Sequence, residues 1–192
     1  MSQFTRDQLL QKIKAGESLS GTDLTESDLS YESLKGVVFS GANLSNAHLQ
    51  NSNLEGANLS GANLTGAFLF GCNLYRANLE RANLQDANLQ DSNLEKCNLR
   101  KANLEHVAFL GSTLDGADLR EANMVRARMK RASLRDARLD GANLQHAHLE
   151  RGDLTNASFK EADLGNASFV KAKMDNTNFD GAKTEGALGL GE

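Results

Sequence analysis

Large apolar residues recur at every fifth position of the chain from Leu19 to Phe179, without an insertion or a deletion. This series covers 33 consecutive sites, and each site holds Leu, Phe or Met. A second series of small residues, mostly Ala, stands two positions before each large residue, as Ala57 stands before Leu59. Self-similarity at a fixed short period is the signature of a repeat architecture. The pattern therefore predicts the fold of most of this 192-residue chain.

A five-residue period fits neither an α-helix nor an uninterrupted strand. In a helix, positions five apart drift around the axis, and in a strand they point to opposite faces. The pair Ala57 and Leu59, however, shares one face of a short extended segment. The chain is therefore expected to run extended for a few residues, turn, and repeat, which winds it into a coil with short strand-like sides.

The residues between the apolar sites favour tight turns. Gly or Asn often stands two positions after the large residue, as at Gly61, Gly66 and Asn46. Both residue types tolerate the positive φ that the third residue of a type II turn requires. Where Arg, Lys, Asp or Glu occupies this position instead, we expect a different type of turn.

Positions twenty residues apart indicate how many sides the coil has. The residue before the large apolar site is Asn at six such positions in succession, from Asn43 to Asn143. Four repeats per coil would stack these residues as an asparagine ladder, which stabilises stacked β-structure. The 33 repeats then make about eight coils, and at about 4.8 Å per coil the solenoid is on the order of 40 Å long.

Successive five-residue units resemble those of the pentapeptide repeat protein family. Residues 57–61 (Ala-Asn-Leu-Ser-Gly), 62–66 (Ala-Asn-Leu-Thr-Gly) and 82–86 (Ala-Asn-Leu-Gln-Asp) are similar to the A-(D/N)-L-x-x signature of that family. The resemblance extends over about residues 18 to 181. It implies an all-β fold, a right-handed quadrilateral parallel β-helix, with the large residue at the centre of the coil and the small residue beside it.

The first residues have a different pattern, which is typical of a short α-helix. Thr5 and Gln8 are spaced as a capping box, and Gly16 is placed to end a helix. We expect a helix near residues 6–15. The N-terminal segment of residues 1–17 is therefore predicted to cap the first coil of the β-helix.

The last coils are rich in large side chains, and the pattern then stops. Residues 18–181 form the predicted β-helix, and residues 182–192 form a Gly-rich tail. Leu188 and Leu190 of this tail could fold back as a lid. Alternatively, two molecules could meet end to end as a homodimer through the C-terminal coil, since symmetric dimers are the commonest oligomers. The candidate residues for this end-to-end contact are Phe159, Phe169, Met174 and Phe179.

The sequence gives little support to catalysis. It contains no CxxC pair, no phosphate-binding Gly loop and no dinucleotide fingerprint. Its four histidines do not converge with further ligands under the four-sided winding. A closed rod filled with Leu also lacks the concave pocket that catalysis normally needs. We therefore expect neither an enzyme nor a cofactor or metal site.

Cysteine usage and hydropathy favour a cytoplasmic protein. Cys72 and Cys97 both occupy the small inward position, on different sides of the coil, and we expect them to be reduced core residues. No stretch approaches the 18 or so apolar residues of a membrane span, and no apolar signal segment opens the chain. Membrane contact is not expected.

Positive charge is concentrated on one predicted coil, although the formal net charge of the chain is −4. This basic belt could contact phosphates or an acidic partner. Alternatively, it could be a solvated coil that neighbouring acids such as Asp118, Glu150 and Asp153 balance. Nucleic-acid binding is not expected, because no exposed aromatic residues accompany the bases. The basic belt consists of Arg126, Arg128, Lys130, Arg131, Arg135 and Arg138.

A few large apolar residues are predicted to face outward. Phe68 and Phe70 flank the inward Leu69, Leu110 lies two coils further along the same side, and Tyr75 lies around the next corner. Single exposed apolar residues are normal, but a contiguous patch indicates a contact surface. We therefore name Phe68, Phe70, Tyr75 and Leu110 as candidate partner-binding residues.

These observations support a non-catalytic scaffold of bacterial type that binds another protein, whose identity the sequence does not show. Residues 16–21 resemble the openings of family members associated with type VI secretion, which suggests an accessory role there. The alternative is a DNA-mimicking protein that binds gyrase or another topoisomerase, as quinolone-resistance members of the family do. Such mimicry needs acidic columns, which the basic belt interrupts. A third hypothesis is a spacer whose only property is its length.

Overall fold

The computed structural model describes residues 4–190, and in this range the chain is a continuous coil preceded by one helix, α1 (Arg6–Lys14). The coil contains no continuous strand among these residues. Instead, single bridge residues alternate with two-residue turns every five positions. Every bridge is parallel and joins residues twenty apart, from Asp23–Asn43 to Ser168–Leu188. Four repeats therefore make one turn of the coil.

Backbone hydrogen bonds join each side of the coil to the corresponding sides of the next and the preceding coil. The N–H of Leu64 donates to the carbonyl of Asn83 (2.6 Å), and the N–H of Asn83 donates to the carbonyl of Ala62 (2.9 Å). The same pair of bonds repeats along all four walls. Each wall is thus a parallel ladder one or two residues wide, which fixes the register of every side chain.

The corners are tight turns, and their geometry does not depend on residue type. The N–H of Ala62 donates to the carbonyl of Leu59 (3.0 Å), and Gly61 between them has a φ of 64°. The prediction of another turn type at charged residues is wrong, because Arg81 and Asp86 have φ values of 57° and 58°. The left-handed conformation costs a non-Gly residue about 1–2 kcal/mol. The turn bond and the bonds to the next coil offset this cost, since the N–H of Arg81 also donates to the carbonyl of Arg100 (2.9 Å).

The core is one stack of side chains along the axis of the coil. Every large residue of the five-residue series from Leu19 to Phe169 is buried, with an exposed fraction of 2% or less. The neighbouring small residues, such as Ala57 and Ala62, are equally buried. The predicted inward orientation of both series is thereby confirmed over this range. The outer walls carry nearly all the remaining side chains.

Asparagine side chains at the bridge position form two kinds of hydrogen bond, one within the coil and one to the adjacent coil. The Oδ1 of Asn63 accepts a hydrogen bond from the N–H of Thr65 (3.2 Å), which holds the entry to the turn. The side-chain amides also stack: Asn63 donates to Asn43 (3.1 Å), and Asn103 donates to Asn83 (3.0 Å). The predicted ladder is interrupted twice: the amide of Asn83 donates to the hydroxyl of Thr65 instead (2.9 Å), and no side-chain amide hydrogen bond joins Asn143 to Asn123.

Helix α1 begins and ends with the predicted signals. The Thr5 side chain and the Gln8 side chain form the reciprocal capping box. At the C-terminal end, Gly16 has a φ of 70°, and its N–H donates to the carbonyl of Ile13 (3.0 Å). The N–H of Glu17 donates to the carbonyl of Lys12 (3.0 Å), which completes a Schellman motif.

Helix α1 packs on the β-helix through one apolar and one charged contact. Leu9 is buried in the common core. Arg6 donates to the carbonyl oxygens of Asp28 (2.7 Å) and Ser30 (3.1 Å) and to the carboxylate of Glu32 (2.6 Å). Glu32 stands where other coils have a small inward residue, and here its carboxylate pairs with the helix. None of the helices among residues 4–190 is long and apolar enough to cross a bilayer.

The ladder continues into the segment that the sequence predicts as a tail. The N–H of Leu188 donates to the carbonyl of Ala167 (2.9 Å), and the N–H of Phe169 donates to the carbonyl of Leu188 (2.7 Å). Gly189 follows with a φ of 80°, and a Cβ there would lie 2.8 Å from the backbone of Phe169, so only Gly fits. Leu190 then packs partly against the core, whereas Leu188 is 59% exposed.

Candidate protein-binding surfaces

Two aromatic side chains project from one wall of the coil. Phe68 is 40% exposed and occupies a bridge position, and Phe70 is 39% exposed and begins the following turn. The ring of Phe68 stacks on the ring of His48 in the adjacent coil, with centroids 4.8 Å apart and planes 16° from parallel. We call Phe68 and Phe70 the aromatic patch. An exposed aromatic pair with one ring held in place is a suitable anchor for a protein partner.

The other two candidate partner-binding residues lie apart from the aromatic patch. Leu110 is half-buried at the same corner as Phe70, two coils further along the axis. Tyr75 is half-buried at the next corner, where the guanidinium of Arg76 lies 5.0 Å from its ring centroid and the ammonium of Lys96 lies 5.9 Å away. The structure thus places Tyr75 in a cationic environment on a neighbouring wall.

The basic belt is partly neutralised. Lys130 lies 3.8 Å from Glu150, Arg135 lies 3.6 Å from Asp153, and Arg138 lies 3.7 Å from Asp140, measured between nitrogen and carboxylate oxygen. These pairs agree with the interpretation that neighbouring coils supply balancing acids. Within residues 4–190, the remaining three members have no carboxylate within 4 Å: Arg126, Arg128 and Arg131.

A groove of about 640 Å³ runs along the corner that carries Phe70 and Leu110. It is formed by the turns of successive coils, from Gln90 and Asp91 to Val170 and Lys171. We call it the corner groove. Sequence analysis did not find it, although Lys130 and Arg131 of the basic belt form its middle. The sequence does contain a signal for it, because cations recur at one turn position every twenty residues, at Arg131, Arg151 and Lys171.

The C-terminal end of the rod is an aromatic cluster. Phe159 and Phe169 are fully buried and meet edge to face, with centroids 6.0 Å apart. Phe179 stacks on Phe159 (5.3 Å) and meets the edge of Phe169 (5.9 Å). Met174 and Phe179 are only partly buried. Of the four candidate residues for an end-to-end contact, these two can reach a second molecule, and the buried pair supports them from within.

The two cysteine thiols are part of the packing. The Sγ of Cys72 donates to the carbonyl of Leu49 (2.9 Å), and the Sγ of Cys97 donates to the carbonyl of Leu74 (2.8 Å). Burial raises the pKa of Cys97 to about 12 and also raises the pKa of Cys72. Both thiols are free and protonated at neutral pH. Among the described residues 4–190, no group of three or more metal-ligating side chains converges.

The carboxylates that the walls hold are stabilised in their charged form. A hydrogen bond from Arg120 is the main cause that lowers the pKa of Asp118 below its ordinary value. A hydrogen bond from the Thr155 hydroxyl does the same for the pKa of Asp153. Both shifts arise from hydrogen bonds between residues two positions apart in one coil, rather than from a pocket built around a reacting group.

Two family models match this chain over most of its length. The model for pentapeptide repeats matches residues 18–56, 38–76 and 153–183, and the model for a pentapeptide repeat region matches residues 69–139. This chain belongs to the pentapeptide repeat family. A comparison with curated proteins gives no match.

Two solved structures of the family have a similar fold. One is HetL, a pentapeptide repeat protein involved in heterocyst differentiation regulation from the cyanobacterium Nostoc sp. strain PCC 7120. It is 27% identical to this chain, with a TM-score of 0.60 and 96% of each chain covered. The other is a trypsin-treated form of QnrB1, a plasmid-mediated fluoroquinolone resistance protein. It is 20% identical, with a TM-score of 0.58, 86% of this chain and 92% of that chain covered.

Proposed function

We propose that this protein is a non-catalytic scaffold that binds another protein through its outer walls. The observation that carries the proposal is the aromatic patch, because Phe68 and Phe70 are each about 40% exposed on a wall that is otherwise largely polar. Aromatic residues, Phe among them, are enriched in protein–protein interfaces relative to the rest of the protein surface. The likeness to HetL, whose role is in regulation, is in line with a protein that acts by contact.

The rest of the fold serves this role by holding the walls in a fixed geometry. We propose that α1 caps the N-terminal end, since Leu9 shares the core and Arg6 bonds to the first coils. With the first coil covered and about eight coils stacked, the walls are long enough to present several separate surfaces. The buried, protonated Cys72 and Cys97 support the cytoplasmic location that we propose.

Site-specific photo-crosslinking in the source cell tests the scaffold proposal. A benzophenone amino acid replaces Phe70 in one variant and Ser60, which holds the equivalent turn position at another corner, in the control. We expect a specific crosslinked protein from position 70 only, and its loss when Phe68→Ser is added. Equal crosslinks from both positions, or turnover of a substrate by the purified protein, would contradict the proposal.

The gyrase alternative receives less support. QnrB1 shows that the fold occurs in a resistance protein, but at 20% identity the likeness extends to the fold alone. In this chain, Arg126, Arg128 and Arg131 leave unneutralised positive charge on the walls where a DNA mimic needs negative charge. We expect the purified protein neither to inhibit DNA supercoiling by gyrase nor to protect gyrase from a quinolone. The hypothesis of an accessory role in type VI secretion rests only on the resemblance at residues 16–21.

We also propose a homodimer through the C-terminal coil, formed by the partly exposed Met174 and Phe179. Burial of a large apolar side chain contributes about 1.5–3 kcal/mol. Sedimentation equilibrium of the purified protein should therefore show a dimer that Phe179→Glu converts to a monomer. A monomer at all accessible concentrations of the unmodified protein would contradict this contact.

A further inference from the structure

The corner groove is a long, narrow site that combines a column of cations with two apolar side chains. Its lining turns come from five successive coils, from residue 90 to residue 171. At about 4.8 Å per coil, the four intervals between them span about 19 Å. An extended peptide rises about 3.3 Å per residue, so the groove has the length of about six peptide residues.

A column of cations runs through the last three of the five coils that line the groove. Arg131, Arg151 and Lys171 occupy the same turn position in three successive coils and all line the groove. Within residues 4–190, none of these three side chains has a carboxylate within 4 Å. Glu150 lies beside Lys130 at 3.8 Å, and Asp91 is the only other acid in the lining. The column therefore has spare positive charge that an anionic ligand would neutralise.

Apolar side chains lie at both ends of this charged column. Leu110 is half-buried, and Val170 is 41% exposed. At Gly111, next to Leu110, the Asp91 carboxylate occupies the place of a side chain, because a Cβ there would come 2.5 Å from an Asp91 oxygen. Leu110 and Val170 are three coils apart, which corresponds to about 14 Å. Two side chains four residues apart on one face of an extended peptide are separated by about 13 Å.

We propose that the corner groove binds an extended acidic segment of a partner protein, with large apolar side chains at Leu110 and Val170 and carboxylates along Arg131, Arg151 and Lys171. This inference rests on the scaffold function and names the chemistry of its partner. Arg and Lys pair with carboxylates, and their long side chains adapt to spacings that do not match coil by coil.

A peptide fits this groove better than a nucleic acid does. Single-stranded nucleic acids use aromatic side chains as stacking platforms, and the lining has none. Leu110 and Val170, in contrast, have no use in phosphate binding but suit leucine-like side chains.

Fluorescence anisotropy with a defined probe tests the inference. The probe is a fluorescein-labelled nonapeptide, Glu-Glu-Leu-Glu-Glu-Glu-Leu-Glu-Glu, and the control peptide has Lys in place of each Glu. We expect saturable binding of the acidic peptide to the full chain, no binding of the basic peptide, and weaker binding at higher salt.

Charge reversal at matched turn positions locates the site. Arg151→Glu should weaken binding about tenfold or more, because it replaces an attraction by a repulsion inside the groove. Arg81→Glu is the control, since Arg81 has the same turn position at another corner and the same backbone, with φ of 57° against 59° for Arg151. It should change the dissociation constant less than about twofold, because exposed charges at another corner are largely screened. Both variants are expected to fold, because Glu121 and Glu161 already adopt this conformation.

Three results would overturn the inference: no saturable peptide binding, an equal loss with Arg81→Glu, or displacement of the peptide by tighter binding of a 20-nucleotide oligothymidylate. The last result would assign the groove to nucleic acid. The scaffold proposal and the groove assignment can be tested independently of each other. If the partner that crosslinks at position 70 still binds the Arg151→Glu variant with unchanged affinity, the scaffold proposal stands and the groove assignment is wrong.

Discussion

Truncation of one central leucine tests how tightly the coil is packed. Leu84 is fully buried in the middle of the axial stack, with Leu64 and Leu104 as its equivalents in the adjacent coils. Leu84→Ala removes three carbon atoms from this stack. At about 0.8 kcal/mol for each buried methylene, the lost transfer free energy is about 2.4 kcal/mol.

The cavity that remains raises the cost further. Buried Leu-to-Ala substitutions cost about 2–5 kcal/mol, and the value depends on how far the surroundings can collapse. Here the walls cannot move inward easily, because the N–H of Leu64 donates to Asn83 at 2.6 Å and the N–H of Leu84 donates to Asn103 at 2.7 Å. We therefore expect a loss of unfolding free energy in the upper part of that range, about 3–5 kcal/mol.

Urea unfolding followed by far-ultraviolet circular dichroism measures this loss. Two control variants are each expected to lose less unfolding free energy than Leu84→Ala. Gln85→Ala changes the adjacent wall residue and should cost less than about 0.5 kcal/mol. Met174→Ala truncates an inward residue at the open end, where the side chain is only partly buried, and should cost less than about 2 kcal/mol. A loss below about 1 kcal/mol for Leu84→Ala, with an unchanged urea dependence, would refute the description of a rigid, filled axis.

Further predictions concern the helix, the thiols and the carboxylates. Glu32→Gln removes a half-exposed ion pair with α1 and should lower stability by about 1 kcal/mol or less, while amide exchange in α1 becomes faster; unchanged exchange would contradict the docking role. Cys72 and Cys97 should react with a thiol reagent at pH 8 only at the rate of unfolding, and fast labelling of the native protein would show that they are accessible. The pKa of Asp118 is lowered in the folded state, so its contribution to stability is complete above its ordinary value of 3.8 and is lost as the pH falls through the lowered value. The midpoint temperature of thermal unfolding should therefore decrease as the pH is lowered below about 4. The decrease should be less steep for Asp118→Asn than for the unmodified chain, and parallel plots of midpoint temperature against pH for the two proteins would contradict this.

The core could be predicted from the sequence because a large apolar residue stands at every fifth position from Leu19 to Phe179 without exception. A shift of one residue would turn Leu84 and its equivalents outward, so an unbroken five-residue series specifies its own register. The helix was equally readable, since Thr5, Gln8 and Gly16 carry local signals that need no tertiary context. In both cases local preference and global packing agree, which is the condition under which sequence patterns are informative.

The turns show where local preference misleads. Arg81 has no intrinsic preference for positive φ, and the expectation of another turn type at charged residues followed from that. In the structure, hydrogen bonds from the neighbouring coils impose one corner geometry on every repeat. The ladder determines the backbone conformation, and the residue adopts it at a modest cost.

The surfaces could be predicted only in part. The outward position of Phe68 and Phe70 follows from alternation along the wall, and the structure places them there. The corner groove depends on how side chains of different coils stand beside each other. Arg151 and Lys171 follow Arg131 at intervals of twenty residues, but the sequence does not show that their side chains, together with Leu110 and Val170, enclose a groove. The burial of Phe159 likewise depends on the next coil, where Phe179 stacks on it.

A distance measurement between two distant coils tests the four-sided winding on which every surface depends. Spin labels at Ser40→Cys and Lys160→Cys, with Cys72 and Cys97 replaced by Ala, would occupy the same corner six coils apart. Six intervals of about 4.8 Å predict a narrow distribution of electron–electron distances centred near 29 Å. Three repeats per coil would move the maximum to about 38 Å. A maximum at that value, or a broad distribution without one, would contradict the winding and every surface derived from it.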